Sequence, residues 1–382
     1  MCGSGTEEAG MITNSCPSCG RIYSYPLMEC TFCRVSLVEE ETREGRVVAV
    51  TEVSVPSLGH EEVPYWDALI ERPQGGFAIV KRDLPTVVGE SISFGSADET
   101  ASYTIGVVGS GVMARGLVEL FLTRGQNVVW VGRSLERLER AKDKVSDRLA
   151  RIMDEDQLQV AIGRLAISDS YKDFEPCDLV IEAIVEDTAA KLELMRELEP
   201  VLRDETIIAS NTSSLPLDVL TTALKKPGRF GGMHFFNPPT RMRLVEVVRA
   251  PETTDETDRF LYDLSVNLGK IPVRVANGPG FVVNRVLMPL LNEAVRALED
   301  DAAPAEDIDE AVRLGLNHPM GPLALADLIG LDVVVSIMED MHARLNDDAY
   351  APRPLLQQLV EEGRLGRKTG SGFYEYTPPP AP

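Results

Sequence analysis

Residues 103–116 read Tyr103-Thr104-Ile105-Gly106-Val107-Val108-Gly109-Ser110-Gly111-Val112-Met113-Ala114-Arg115-Gly116. An apolar, β-branched run of this kind suits a parallel strand buried on both faces. It passes without a break into a GxGxxA turn and a helix-forming stretch that ends near Arg124. In that context a glycine turn binds a dinucleotide. Gly109 permits the tight turn, Gly111 lets the backbone approach a pyrophosphate, and Ala114 is small enough for the helix to pack on the strand. Val112 and Met113 open the helix, whose N-terminus binds the anion. A second strand, Asn127–Val131, ends in Gly132-Arg133-Ser134. A carboxylate at this place would hold the ribose 2′-hydroxyl of NAD, whereas a guanidinium and a hydroxyl suit a 2′-phosphate. Arg133 and Ser134 therefore favour NADP(H) over NAD(H). The alternative is that Arg133 lies over the adenine face and NAD is used as well.

Downstream, Leu135 to about Met153 reads as helical. Asp178–Ala183 reads as a strand with Glu186 at its edge, and Thr188–Leu202 as an amphipathic helix carrying Lys191. The next strand, Thr206–Ala209, ends in Ser210-Asn211-Thr212-Ser213-Ser214. A polar cluster at the C-terminal end of a parallel strand is where α/β proteins bind ligands. Helix capping by Ser213 or Ser214 would explain the same residues. The chain has four histidines. Of these, His234 alone lies between a short apolar approach and the Pro-closed turn Phe235-Phe236-Asn237-Pro238-Pro239. Leu244–Val248 follows, with Glu246 as its single acid. A lone acid in an apolar strand is costly to bury without a partner, and His234 across the turn is available. Such a pair is a general base with its orienting carboxylate. Equally, Glu246 could face water and His234 sit in the core. Beyond Asn277-Gly278-Pro279-Gly280 the chain turns helical, with apolar spacing over Phe281–Leu298, Asp307–Leu314 and Leu323–Leu345. His318 and His342 read as structural or exposed.

Upstream, Cys16-Pro17-Ser18-Cys19 and Cys30-Thr31-Phe32-Cys33 supply four thiolates at the spacing of a closed tetrahedral zinc site. Arg46–Val55, Tyr65–Glu71, Phe77–Arg82 and Val87–Phe94 read as strands, the middle two forming a hairpin about Pro73–Gly76. They suggest a small barrel behind a zinc ribbon. At 382 residues the chain has room for about two to four domains. A net charge of −22 argues against nucleic acid and anionic membranes as partners. There is no apolar run long enough for a transmembrane helix and no secretory pattern, so a cytoplasmic location is expected. Cys177, abutting a strand, reads as a packed thiol.

From Tyr103 to Tyr376 the chain resembles the L-3-hydroxyacyl-CoA dehydrogenases. The matching pieces, in the family's order, are VVGSGVMARG, CDLVIEAIVED, IIASNTSSL, GGMHFFNPP, LVEVV, NGPGFVVNRV, HPMGPLALADLIGLD and GRKTGSGFYEY. The resemblance implies an α/β Rossmann domain over 103–277 and an all-α substrate and dimerisation domain over 278–376. It implies that His234 is the catalytic base, Glu246 its partner, and that Ser213 and Asn284 bond the reacting oxygen. Ala183, Glu186, Lys191 and Asn211 would line the cofactor or reaction centre, with Asn237 in the same wall. The implied reaction interconverts 3-oxoacyl-CoA and (S)-3-hydroxyacyl-CoA, here on short chains; with NADP(H), which Arg133 favours, the expected direction is reduction. Ala114 for the third glycine and Gly132-Arg133 for the usual acid depart from the pattern and bear on cofactor choice. Residues 1–44 and 45–97 resemble the acyl-CoA-associated zinc-ribbon/OB-fold family, on the paired cysteines, Val47–Val55 and Pro64-Tyr65. That implies a structural Zn2+ on Cys16, Cys19, Cys30 and Cys33, an OB-like barrel and docking to a thiolase-like enzyme. A homodimer through the helical domain is also expected. The competing reading is a non-catalytic acyl-CoA-binding scaffold.

Overall fold

The computed structural model describes residues 11–15, 22–23, 38–42, 44–53, 65–71, 77–82, 88–89, 91–93, 102–213 and 215–376. Its contacts divide the chain into two units, Met1–Ala101 and Ser102–Pro382. In the first, β1 (Met11–Ser15), β2 (Ile22–Tyr23) and β3 (Val38–Thr42) form an antiparallel sheet in the order β2-β1-β3. A second sheet, ordered β6-β5-β4-β7, comprises β4 (Glu44–Val53), β5 (Tyr65–Glu71), β6 (Phe77–Arg82) and β7 (Ser91–Ser93). β5 and β6 pair antiparallel from Trp66↔Arg82 to Glu71↔Phe77, the hairpin expected from the sequence. The strand expected over Val87–Phe94 is shorter than its apolar residues suggest, because Val88 and Gly89 form a turn with Gly89 at φ +96°. Cys16, Cys19, Cys30 and Cys33 lie outside the described residues.

The second unit is built on β8 (Thr104–Val108), α1 (Val112–Thr123), β9 (Asn127–Val131), α2 (Leu135–Leu149), α3 (Glu155–Gly163) and β10 (Leu165–Ser168). They are followed by β11 (Leu179–Glu182), α4 (Thr188–Leu198), β12 (Ile207–Ser210), α5 (Leu217–Thr221) and β13 (Phe230–Phe235). β14 (Leu244–Arg249), α6 (Asp255–Asn267) and β15 (Ile271–Ala276) complete the α/β part. The eight strands lie in the order β10-β9-β8-β11-β12-β13-β14-β15. β8 to β13 are parallel, and β14 turns antiparallel to β13. Alternating strands and helices produce such a sheet because each crossover helix buries an apolar stripe on one face. α1, α2, α3 and α6 cover one face, and α4 and α5 the other.

Local chemistry sets the helix ends. α2 starts at Ser134, whose hydroxyl accepts the Arg137 N–H, and buries Leu138, Ala141, Val145 and Leu149 at helical spacing. The stretch expected to run to Met153 stops at Leu149, since Asp154 opens a capping box with Gln157 and starts α3. The helical part comprises α7 (Val283–Glu299), α8 (Ala305–Gly315), α9 (Pro322–Ile329), α10 (Leu331–Leu345) and α11 (Pro354–Glu361), around a core that includes Met288, Leu291, Val334 and Met338. The apolar run Leu323–Leu345 is two helices and not one. Gly330 sits at φ +104°, a conformation that breaks the α-helix between α9 and α10. No described helix is long and apolar enough to cross a membrane.

Candidate active site

The pairing of β13 with β14 sets the centre of the site. Their register runs Gly232↔Val248, Met233↔Val247, His234↔Glu246 and Phe235↔Val245, so the histidine and the acid are direct cross-strand neighbours. His234 Nδ1 lies 2.6 Å from Glu246 Oε2, with the two residues 4% and 1% exposed. The other carboxylate oxygen, Oε1, accepts the Val282 and Val283 N–H groups, each at 3.0 Å. These are donors at the N-terminus of α7, where helical N–H groups lack intrahelical partners and favour an anion. Burial alone pushes the Glu246 carboxyl up. The bonds from His234, Val283 and Val282 outweigh it and hold the group below the usual carboxylate value. An ionised carboxylate only accepts, so Nδ1 carries the hydrogen, and in the neutral tautomer Nε2 holds the lone pair. Phe236 and Phe281 flank the imidazole, with ring centroids 4.5 and 5.7 Å away.

Three further elements converge here. Asn284, in the first turn of α7, donates its side-chain amide to the Ser213 carbonyl at 3.0 Å, so it ties α7 to the segment after β12. Asn211 Oδ1 accepts the Phe235 N–H at 2.9 Å and holds the end of β13. Asn237 is exposed in the turn beyond, where the Asn237–Pro238 peptide is cis. Lys270, just before β15, donates its Nζ to the Pro239 and Met242 carbonyls and pins this turn; burial, aided by Arg124 and Arg243, pushes its ammonium down to about 8. Gly116 of α1 lies against Pro239, 2.7 Å from where a Cβ would sit.

Lys191 lies between two carboxylates, 2.7 Å from Glu182 Oε1 and 2.8 Å from Glu186 Oε2. Burial disfavours its charge, but Glu182 and Glu186 overcome this and raise it. In turn, Lys191, Thr212 and the Ser213 N–H hold Glu186 low against its own burial. Ser210 donates its hydroxyl to Glu182. This buried network links the ends of β11 and β12 to α4. Glu182 carries the same signal in the sequence as Glu246, an acid inside an apolar strand, Leu179–Glu182, that needs a partner once buried.

A cavity of about 770 Å3 opens at the C-terminal ends of β8 and β11. It brings together Gly109, Gly111, Val112, Met113, Arg133, Ser134 and Ala183; Glu186, Lys191, Asn211 and Ser213 are not among its lining. Gly109 has φ +117°, and a Cβ there would meet the Ala183 carbonyl oxygen at 2.5 Å. A Cβ on Gly111 would meet nothing within 4 Å, and Gly111 caps α1 without any side-chain bond. Space at the glycine and free N–H groups behind it fit a dinucleotide pyrophosphate. The Ser134 hydroxyl is engaged as the α2 cap, while Arg133 is exposed at the cavity wall. Cys177 is buried, its thiol pushed up to about 12 by burial first and by Asp178. Among the described residues no cluster of metal-ligating side chains occurs.

Residues 104–278 match the family described as "3-hydroxyacyl-CoA dehydrogenase, NAD binding domain", and residues 280–376 the one described as "3-hydroxyacyl-CoA dehydrogenase, C-terminal domain". A probable 3-hydroxybutyryl-CoA dehydrogenase of Deinococcus radiodurans is 44% identical over 275 residues, covering 71% of this chain and 99% of that protein. The mitochondrial hydroxyacyl-coenzyme A dehydrogenase of Homo sapiens is 36% identical over 310 residues, 78% of this chain and 99% of that protein. Among solved structures, (S)-3-hydroxybutyryl-CoA dehydrogenase from Ralstonia eutropha superposes with a TM-score of 0.70 at 41% identity, covering 72% of this chain and all of that one. Both parts of the family pattern are matched in order, and relatives of this similarity align over almost their whole length, so this chain belongs to the 3-hydroxyacyl-CoA dehydrogenase family.

Proposed function

We propose that residues 102–376 interconvert a 3-oxoacyl-CoA and an (S)-3-hydroxyacyl-CoA, acting on short acyl chains in the reductive direction. The observation that carries the reading is the buried His234–Glu246 pair at 2.6 Å, its carboxylate clamped by the N-terminus of α7. The names of the Deinococcus and Ralstonia relatives, both 3-hydroxybutyryl-CoA dehydrogenases, support a short acyl chain. A nicotinamide cofactor, when bound, supplies or accepts the hydride. In oxidation, Nε2 of His234 takes the proton from the 3-hydroxyl as the hydride leaves C3; in reduction it returns that proton to the oxygen. Glu246 orients the ring and stabilises the imidazolium. Ser213 and Asn284 polarise the reacting oxygen. Asn284 is already aimed at the Ser213 segment, which keeps both residues within one rigid corner. Lys191 and Glu186 stiffen the wall behind it.

Arg133, without a carboxylate at the end of β9, supports NADP(H) as the preferred cofactor. Oxidation of NADPH and of NADH with acetoacetyl-CoA, measured side by side, tests both points. Faster turnover of NADPH is expected, and Arg133→Asp should raise the NADH to NADPH ratio of kcat/KM by about tenfold or more. An unchanged ratio discards the role of Arg133; no turnover with either cofactor discards the short-chain reading, and failure of a longer 3-oxoacyl-CoA as well discards the dehydrogenase in favour of the scaffold.

In the same reading the N-terminal unit is a zinc ribbon, with Zn2+ on Cys16, Cys19, Cys30 and Cys33, followed by an OB-like barrel that docks a thiolase-like enzyme. The two antiparallel sheets support it. A pull-down with the full chain and with residues 102–382 compares partner retention; equal retention removes the docking role. Homodimerisation is supported by exposed apolar side chains of the helical part, among them Val286 and Leu314. Light scattering that returns a monomer removes it.

A further inference from the structure

Beside the dinucleotide cavity lies a second, of about 250 Å3, lined by Ser110, Arg115, Arg137, Arg140, Ala141 and Lys144. Arg137, Arg140 and Lys144 follow one another at helical spacing and form a basic stripe along α2, bordering the stripe that packs inward. The acids of the same helix, Glu136, Glu139, Asp143 and Asp147, fall farther round. Arg115 reaches the cavity from the first turn of α1, and Ser110 from the glycine turn. Four cations thus meet around one small space in a chain whose net charge is −22. Of these four cations only Arg140 has an ion-pair partner among the described residues, Glu136 at 2.9 Å, and that pair is exposed enough to exchange at little cost. Four like charges with a single exposed carboxylate beside them repel one another, and a doubly charged anion relieves that repulsion. A phosphate monoester matches the set, because its three terminal oxygens accept the forked guanidinium donors.

We propose that this cavity binds a phosphate monoester carried on the ribose of an adenosine ligand. The inference rests on the reading of residues 102–376 as a dehydrogenase using nicotinamide and acyl-CoA ligands, and it deepens the cofactor part of that reading. Two ligands of such an enzyme carry this chemistry: NADP(H) at the ribose 2′-position and coenzyme A at the 3′-position. Ser110 and Arg137 line both cavities, so the second space adjoins the first at the glycine turn and the start of α2, and the 2′-phosphate is the source it serves. Arg133 lines only the larger cavity. Selection for phosphate is then shared between Arg133, on the wall of the larger cavity, and the cluster of Arg115, Arg137, Arg140 and Lys144.

Calorimetric binding of AMP, adenosine 2′,5′-bisphosphate and adenosine 3′,5′-bisphosphate to the full chain tests this without turnover. Arg140 and Lys144 are exposed helix positions, so Arg140→Ala with Lys144→Ala should keep the fold, which far-ultraviolet circular dichroism checks. The wild-type chain should bind one bisphosphate more tightly than AMP, and the double variant should lose that margin by on the order of tenfold or more, as expected for charge-assisted bonds. The margin should also shrink as salt rises. A loss confined to the 2′-isomer assigns the cofactor as the source; one confined to the 3′-isomer assigns coenzyme A. Both keep the cavity as the phosphate site, and the second overturns its assignment to the 2′-phosphate. No margin in the wild-type chain, or one that survives the double substitution, overturns the proposal. Failure of the dehydrogenase reading shows separately, as no reduction of acetoacetyl-CoA or of a longer 3-oxoacyl-CoA, and leaves these binding constants readable.

Discussion

Glu246 stays ionised among Val245, Val247 and Val248 because three donors meet it there: the imidazole Nδ1–H and two N–H groups of α7. His234→Ala removes the proton acceptor and should lower kcat by about 10²–10⁴-fold, the usual span for a general base. Glu246→Gln should lower kcat to a similar extent, because a neutral amide no longer stabilises the imidazolium. Steady-state kinetics beside circular dichroism checks both, and a near wild-type rate with either removes the pair from the chemistry. Lys191 belongs to the same scale but is bound to stability. Lys191→Met leaves Glu182 fully buried and Glu186 without its cation. Breaking a buried pair by removing one partner costs about 3–5 kcal/mol, which urea unfolding will register. Glu246 was legible in the sequence as a lone acid in a strand. Its backbone donors were not, since any residue at 282 and 283 has an N–H.

The turn from β8 into α1 shows how an element is specified by a few residues. Gly109 holds φ +117°, and its carbonyl accepts the indole N–H of Trp130 on β9. Gly109→Ala forces a Cβ against the Ala183 carbonyl in a conformation L-residues avoid. It should cost at least about 1–3 kcal/mol. Dinucleotide binding should weaken with it, read by calorimetry on the folded variant. Wild-type affinity would show that the turn tolerates a side chain. Strand, turn and helix were all legible from Tyr103–Gly116, because buried parallel strands and glycine turns have narrow composition. The break at Gly330 was not: an isolated glycine in an apolar helical run is compatible with a continuous helix, and the tertiary structure, in which Gly330 takes φ +104° and the Leu331 N–H bonds to the Leu365 carbonyl, distinguishes the two.

At the scale of the whole molecule, the buried charges make stability depend on pH. Glu246 and Glu186 have folded-state values below their ordinary ones. Their contribution is fully present above the unfolded glutamate value, about 4.3, and is lost as pH falls through the lower folded values. Lys191 is shifted the other way, so its share is present below the ordinary lysine value and disappears only as pH rises through the raised one. Urea midpoints should therefore be insensitive to these three groups across neutral pH and fall on the acid side. In Lys191→Met the acid limb should flatten, because Glu186 loses the largest of the groups that lower it. An acid limb of unchanged steepness would show that this network does not control acid stability.

Local sequence determined the elements: apolar runs made strands, Ser134 and Asp154 set helix starts, and the glycine turn marked the dinucleotide end of the sheet. It also singled out His234 and Glu246 as chemically conspicuous, because burying an acid requires a partner whatever the fold. Tertiary structure decided which groups meet. The register of β13 on β14 placed the imidazole opposite the carboxylate, the docking of α7 supplied two backbone donors, and the packing of α1 on α2 brought Arg115 to the basic stripe. Such contacts join residues far apart in the chain, and no local propensity encodes them; they are set by the free energy of packing the whole sheet and its helices together.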